Sequence, residues 1–423
     1  MEDPKLLERM RADWNRRAAE DANYYVAFGR RNQGEEEFFA SGADVVRNLE
    51  RELKRLPARD AALEIGCGPG RLMLPMSRHF REIHGVDVSD EMIRLARERL
   101  RTAPNAFPRH NSGSDLSAYP DAKFDFVYSY AVFQHIPSRD TVFGYLREAR
   151  RVLKPGGLLR CQMNGLPREA RRFDTWTGVR IPAGEVARFA EENEFQLLAL
   201  EQAESQYMWI TFRKPRPSAR AAAAPPHLRK ISNARTGEDA SPASGELAVF
   251  SLWIDRLPEN CDLIHLSVTA DGLPCRPVYV EPPAPDGMSQ INAALPFGIR
   301  TGLVPVEVKW RGEPLCAGWT RILPAPPPAP RIVALSDGID LFSGPRIATG
   351  SVKVAIVETT HPREFRATVD GVEAADWESS RIDPAMERYE FNFRLPRGIG
   401  RGPHEVRIAL GRRTFLPMPI EVA

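Results

Sequence analysis

One stretch limits the fold more than any other. It is Leu63-Glu64-Ile65-Gly66-Cys67-Gly68-Pro69-Gly70, followed by the apolar-leaning run Glu82-Ile83-His84-Gly85-Val86 and then Asp87. A buried strand, a glycine turn, a helix and a second strand tipped by an acid open a parallel α/β sheet. A side chain at Gly66 or Gly68 would block close approach to the turn, and Pro69 presets the backbone where the helix starts. At the strand tip, the Asp87 carboxylate is placed to accept from both hydroxyls of a ribose. The alternative is a strand-turn-helix with no ligand, and the acid spacing argues against it.

Dinucleotide sites read G-x-G-x-x-G, and Gly66-Cys67-Gly68-Pro69-Gly70 lacks the third glycine at that spacing. Two later segments complete a pattern. Phe124-Asp125-Phe126-Val127-Tyr128-Ser129-Tyr130 is a continuously apolar strand leading into a loop with Gln134 and His135, and Leu153-Lys154-Pro155-Gly156-Gly157 turns a helix into the next strand. With Glu64 ahead of the glycines, this order resembles the class I S-adenosylmethionine (SAM) methyltransferases, over about half of the chain. The resemblance implies a Rossmann-like sheet, SAM as cofactor, and cofactor contacts from Glu64, Gly66, Cys67, Gly68, Gly70, Asp87, Val88, Met92, Ser114, Asp115, Leu116, Ser129 and Tyr130. One segment departs from the family pattern. Asn111-Ser112-Gly113-Ser114-Asp115-Leu116 puts Ser112 where an adenine-contacting Asp is usual, so Asp115 is read either as adenine acceptor or as turn cap.

Residues 5 to 31 read as one or two helices, with Trp14, Ala18, Ala22 and Tyr25 on one face. In the resembling family such a segment closes over the site, which makes Trp14, Arg17, Tyr24 and Tyr25 candidates for the substrate side; core packing is the alternative. Gln134 and Trp176 join them. His135 is the candidate general base, since imidazole titrates near neutral pH, with loop capping as the other reading. Arg168, Arg171 and Arg172 form a basic insert that fits either an acidic substrate or a solvated face. No N/D-P-P-Y/F tetrapeptide or loop cysteine follows the fourth strand, and no carboxylate cluster marks a Mg²⁺ site. This leaves a metal-independent O-, N- or C-methyltransferase acting on a small-molecule or glycan-like acceptor.

Behind residue 213 the composition changes. Lys214-Pro215-Arg216-Pro217 and an alanine-proline stretch form a linker over 214–225, and Pro324-Ala325-Pro326-Pro327-Pro328-Ala329-Pro330 supplies a stiffer one at 325–329. The segments 226–324 and 330–423 repeat each other: Leu295-Pro296-Phe297-Gly298 recurs as Leu395-Pro396-Arg397-Gly398, and Asp271-Gly272 as Asp370-Gly371. Their short alternating runs predict antiparallel sandwiches that resemble bacterial immunoglobulin-like domains. The expected architecture is therefore a multidomain chain: a methyltransferase domain with a helical cap over 1–213 and two all-β immunoglobulin-like sandwiches. The alternatives are a non-catalytic SAM-binding scaffold, or a binding protein whose sandwiches recruit a carbohydrate or protein. The net charge of +2 gives no bulk drive toward nucleic acid or anionic membrane. Five cysteines in no metal-binding spacing, a charged N-terminus and no long apolar run predict a cytoplasmic protein.

Overall fold

The computed structural model describes the chain apart from residues 1–3, 28–32, 168–174, 177, 204, 218–224, 282, 284–286, 326, 339–344 and 384–385. The first half carries β1 (Ala61–Ile65), β2 (Glu82–Asp87), β3 (Ala106–His110), β4 (Phe124–Ser129), β5 (Leu153–Met163), β6 (Gln196–Glu201) and β7 (Met208–Arg213). They lie in the order β3-β2-β1-β4-β5-β7-β6. The first five are parallel, and β7 runs antiparallel to both neighbours. β1 and β4 are buried at every residue, as central parallel strands covered on both faces must be.

The helices are α1 (Pro4–Ala27, kinked at Asp21), α2 (Glu35–Asn48), α3 (Glu50–Arg55), α4 (Met73–Met76), α5 (Asp90–Arg99), α6 (Arg139–Val152) and α7 (Ala183–Glu192). Ser89 caps α5, accepting from Met92 N–H at 3.1 Å, and Ser138 caps α6. The turn into β5 is structural. Asp125, 1 % exposed, accepts from Lys154 Nζ at 2.9 Å and from the N–H groups of Asp60 and Ala61. A Cβ on Gly157 would lie 2.9 Å from the Lys154 carbonyl oxygen.

The strand-rich remainder comes in two rounds. The first has β8 (His227–Asn233), β9 (Ala240–Pro242), β10 (Val249–Asp255), β11 (Leu266–Ala270), β12 (Leu273–Val280), β13 (Met288–Ala294), β14 (Gly302–Trp310) and β15 (Glu313–Leu323). The second has β16 (Arg331–Asp337), β17 (Arg346–Ile347), β18 (Ser351–Val357), β19 (Phe365–Val369), β20 (Val372–Glu373), β21 (Trp377–Asp383), β22 (Arg388–Arg394), β23 (Gly402–Leu410), β24 (Arg413–Thr414) and β25 (Met418–Val422). The order β8-β10-β13-β12 reappears as β16-β18-β22-β21, and β12-β11-β14-β15-β9 as β20-β19-β23-β25-β17. A single strand, β12, serves both sheets of the first round; in the second it is cut into β20 and β21. The matched turns share backbone geometry: φ is +54° and +74° at Asp271-Gly272, +49° and +82° at Asp370-Gly371. In each round two sheets share a core, Phe250, Leu252 and Ile254 with Val304 and Val306, then Val352, Val354 and Ile356 with Val406 and Ile408. The immunoglobulin-like label goes beyond this strand order.

Two compact units result: residues 1–16 with 42–326, and residues 17–41 with 327–423. Within the first, the sheet of β1–β7 continues past 214–225. Tyr279 on β12 pairs with Ala199 on β6, Leu263 N–H donates to Leu197 O at 2.9 Å, and Arg55 Nε meets Glu281 at 2.8 Å. The guanidinium groups of Arg51 and Arg55 lie 4.6 and 4.8 Å from the centre of the Tyr279 ring.

Candidate active site

β1 delivers the glycine turn to the carboxyl edge of the sheet. The N–H groups of Gly66 and Cys67 both donate to Val86 O, at 2.8 and 3.0 Å, which fastens the turn to β2. Gly66, Gly68 and Gly70 have φ of +74°, +50° and +88°, a region glycine enters without cost. A Cβ on Gly66 would also lie 2.4 Å from Val132 Cγ2. Cys67 turns inward, so that a Cβ on Gly85 would meet its Sγ at 2.9 Å, and burial holds its thiol protonated.

Asp87 joins the two loops that flank the turn. Its Oδ2 accepts from Gly68 N–H and its Oδ1 from Ser89 N–H, each at 2.9 Å. Each carboxylate oxygen has two acceptor sites, so these two bonds do not exhaust its capacity to accept. Burial raises the Asp87 carboxyl above its ordinary range, against the pull of these donors. Hydroxyl donors from a ribose would relieve that desolvation, so the residues present fit a nucleoside-bearing cofactor.

Beside it, Val88 packs at Gly113, where a Cβ would meet its Cγ2 at 2.8 Å, and Met92 is buried in α5. Ser114 and Leu116 are buried in the following loop. Asp115 is occupied by its own turn: Ser112 Oγ donates to Oδ2 at 2.6 Å, and Ser117 donates its N–H and Oγ to Oδ1 at 2.9 and 2.5 Å. Burial pushes Asp115 up, yet these donors leave it below its usual pKa. These bonds cap the turn.

Behind the turn, Glu64 is 3 % exposed and accepts from Tyr128 Oη at 3.0 Å. Burial lifts its carboxyl to about 8, more than the Tyr128 hydrogen bond and the nearby Arg71 charge hold it down, so it is mostly protonated at neutral pH. Ser129 Oγ donates to Ile65 O at 2.9 Å and ties the tip of β4 to β1. Tyr130 stacks on Trp209 at 5.6 Å, with the Arg71 guanidinium 5.4 Å from its ring. Ala131 then takes a left-handed φ of +56°, a strained setting for a residue with a Cβ.

His135 is 6 % exposed, between Trp14 at 5.6 Å and Trp176 at 5.3 Å. Its Nδ1 lies 2.7 Å from the Trp176 carbonyl oxygen, which can only accept. Nδ1 therefore carries the proton and Nε2 presents a lone pair, 3.4 Å from Gln134 Nε2. The loop is fastened again where Gly178 N–H donates to Gln134 O at 2.8 Å. Three consecutive residues of α1 bridge the two sides. Asp13 accepts from Thr175 Oγ1 at 2.8 Å, Trp14 meets His135, and Asn15 Oδ1 accepts from Ser89 Oγ at 2.6 Å. Arg17, Tyr24 and Tyr25 belong to the other compact unit, where Tyr24 and Tyr25 pair edge-on at 5.0 Å. Arg168, Arg171 and Arg172 lie outside the described residues.

Residues 63–161 match the family model described as methyltransferase domain. This segment is a methyltransferase domain. Its class uses S-adenosyl-L-methionine, in accord with the fit at Asp87. The chain is similar to a trans-aconitate 2-methyltransferase of Afipia carboxidovorans, 38% identical over 119 residues, 28% of this chain and 43% of that protein. It is also similar to a ubiquinone biosynthesis O-methyltransferase of Cereibacter sphaeroides, 33% identical over 99 residues, 23% of this chain and 39% of that protein. The chain thus spans about two fifths of the length of these relatives. Among solved structures, a SAM-dependent methyltransferase from Methanosarcina mazei aligns with 22% identity and a TM-score of 0.32, over 40% of this chain and 97% of that one.

Sequence reasoning missed Asp13, Asn15 and Thr175 in the methyltransferase domain's surroundings. One signal was available: Asp13 and Asn15 bracket Trp14 in a helix otherwise rich in arginine. The partnership of Arg71 with Tyr130 depends on a turn and a strand tip far apart in sequence, and no local pattern announces it.

Proposed function

We propose that this chain transfers a methyl group from SAM to an O, N or C atom of a small-molecule acceptor, without a metal. The observation that carries the reading is the double anchoring of Asp87 by Gly68 N–H and Ser89 N–H, which aims a buried carboxylate at a ribose beside a glycine turn. Gly66, Cys67, Gly68 and Gly70 supply close backbone approach, while Val88, Met92, Ser114 and Leu116 wall the base. Glu64, Ser129 and Tyr130 shape the strand tips below. When bound, the cofactor supplies a methyl group on a sulfonium leaving group. The protein's own part is position and exclusion of water, by Trp14, Gln134, Trp176 and the loop holding them. His135 Nε2 takes a proton from acceptors that must lose one, its tautomer fixed by the Trp176 carbonyl.

The relatives' printed names point first to trans-aconitate, a carboxylic acid, and to an oxygen acceptor in ubiquinone biosynthesis. Incubating the full chain with SAM and a panel of polycarboxylates, phenols and amines, and reading methylated products by mass spectrometry, tests the reading. A product dependent on Asp87 supports it; cofactor binding with no product from any class favours the scaffold alternative. The matched strand orders support two immunoglobulin-like sandwiches over 226–324 and 330–423. The five cysteines are free thiols, which supports a cytoplasmic setting. No helix among the described residues is long and apolar enough to cross a membrane.

A further inference from the structure

The two rounds of strands can be compared position by position, because their registers match. In the first, Ser267 faces Lys309 and Thr269 faces Glu307 across β11 and β14. In the second, Arg366 faces Ala409 and Thr368 faces Arg407 across β19 and β23. At the hairpin that follows, Glu313 pairs with Trp310 in the first round, and Arg413 with Leu410 in the second. Ser267, Glu307 and Glu313 are thus replaced at equivalent positions by Arg366, Arg407 and Arg413. The buried face of the same strands keeps its character, Val306 and Val308 against Val406 and Ile408. On this sheet the change lies on the outward face of the strands.

A cleft of about 450 Å³ opens on that face, lined by Arg366, Arg407, Glu373, Thr368 and Thr414 over an apolar floor that includes Phe415 and Pro417. The size suits one or two sugar rings. Among the described residues Arg407 commits only Nε, to Glu405 at 2.7 Å, and Arg366 reaches Gly411 O at the long distance of 3.4 Å. Both guanidinium groups keep further N–H donors for an anion. Arg413 lies 5.7 Å from the Phe415 ring and adds positive charge at the rim. The Glu373 side chain is exposed and has no hydrogen-bond partner among the described residues. Its carboxylate suits hydroxyl donors, as do the two threonines. An apolar aromatic floor, acceptors for hydroxyls and paired guanidinium groups for a carboxylate match one ligand class.

We propose that the last β-sandwich, residues 330–423, binds an acidic saccharide in this cleft. The uronate carboxylate meets Arg366 and Arg407, a ring face lies on Phe415 and Pro417, and ring hydroxyls donate to Glu373. The site is independent of the methyl-transfer reading. Titration calorimetry of the full chain with tetragalacturonate, a glucuronate-containing tetrasaccharide, a neutral galactose tetrasaccharide and sodium sulfate tests it. Either acidic tetrasaccharide is expected to bind, with the neutral one at least roughly tenfold weaker, since the charged pairing is the stronger contact. Arg366→Ala with Arg407→Ala should abolish binding without shifting the thermal midpoint, because both side chains are exposed. Glu307→Ala, at the equivalent face of the first round, should leave it unchanged. Failure of both acidic probes, equal binding of the neutral one, or sulfate binding as tight as the saccharide would each overturn the proposal.

Discussion

Asn15 Oδ1 accepts two hydrogen bonds from the segment that follows Asp87, one from Ser89 Oγ at 2.6 Å and one from Glu91 N–H at 3.2 Å. Asp13 holds Thr175 from the same turn of α1, so two neighbouring polar side chains connect the cofactor side of the site to the acceptor side. Ser89 also accepts from Met92 N–H, which makes the N-cap of α5 part of the same chain of bonds.

Removing the Asn15 carboxamide should therefore loosen cofactor binding without touching the cofactor. Asn15→Ala is expected to weaken S-adenosylhomocysteine by about fivefold, the worth of roughly 1 kcal/mol of hydrogen bonding. Calorimetry reads the affinity. The same loss in Asp13→Ala would show that both ends of the bridge matter, whereas wild-type affinity in both variants would confine the bridge to packing.

Glu64 gives a pH signature. Its pKa rises from an unfolded value near 4.5 to about 8 in the fold, so the folded state binds more protons between those values. Its contribution to stability is full below the unfolded pKa and declines as pH rises through about 8. Glu64→Gln keeps the hydrogen bond to Tyr128 without the ionisation. Thermal midpoints measured from pH 5 to 8.5 should fall less steeply in the variant than in the wild type. Parallel curves would mean that Glu64 is already ionised at neutral pH.

His135 separates chemistry from support. With Nδ1–H given to the Trp176 carbonyl, Nε2 is the basic atom. For a protic acceptor, His135→Ala should lower kcat by roughly a hundredfold and leave S-adenosylhomocysteine affinity nearly unchanged. His135→Gln tests support, since it restores a donor and an acceptor but no base. Recovery of turnover in the glutamine variant would assign His135 to loop capping.

The pairing of Tyr279 with Ala199 bears on where the chain is cut. A fragment of residues 1–213 loses this bridge, the Arg55–Glu281 ion pair at 2.8 Å and the Leu263–Leu197 hydrogen bond, and leaves β6 as an open edge. That fragment is expected to aggregate, whereas the full chain should stay soluble and bind S-adenosylhomocysteine. A monomeric 1–213 with full affinity would make the proline-rich stretch a true folding boundary.

What the sequence carried and what it left out follow from how local each signal is. The glycine turn and the Gly156-Gly157 turn depend on residues within a few positions of each other, so their local geometry was legible. The internal repeat was legible too, because turn glycines and strand lengths recur together. The continuation of the sheet through Tyr279 was not, since proline and alanine after Lys214 look like a break while the pairing joins strands far apart in sequence. Asp115 shows the same limit at small scale. Its spacing suits either role, and only the fold shows that Ser112 and Ser117 donate to it.

The central claim is that Asp87 holds the ribose of SAM, and one titration tests it most directly. Calorimetry of the wild type and of Asp87→Ala with SAM should show binding in the first and a loss of about 2 to 3 kcal/mol in the second, the cost of removing a charged acceptor from two hydroxyl donors. Asp87→Asn, which retains one acceptor, should fall between them. Equal affinity in all three proteins would contradict the assignment of the site.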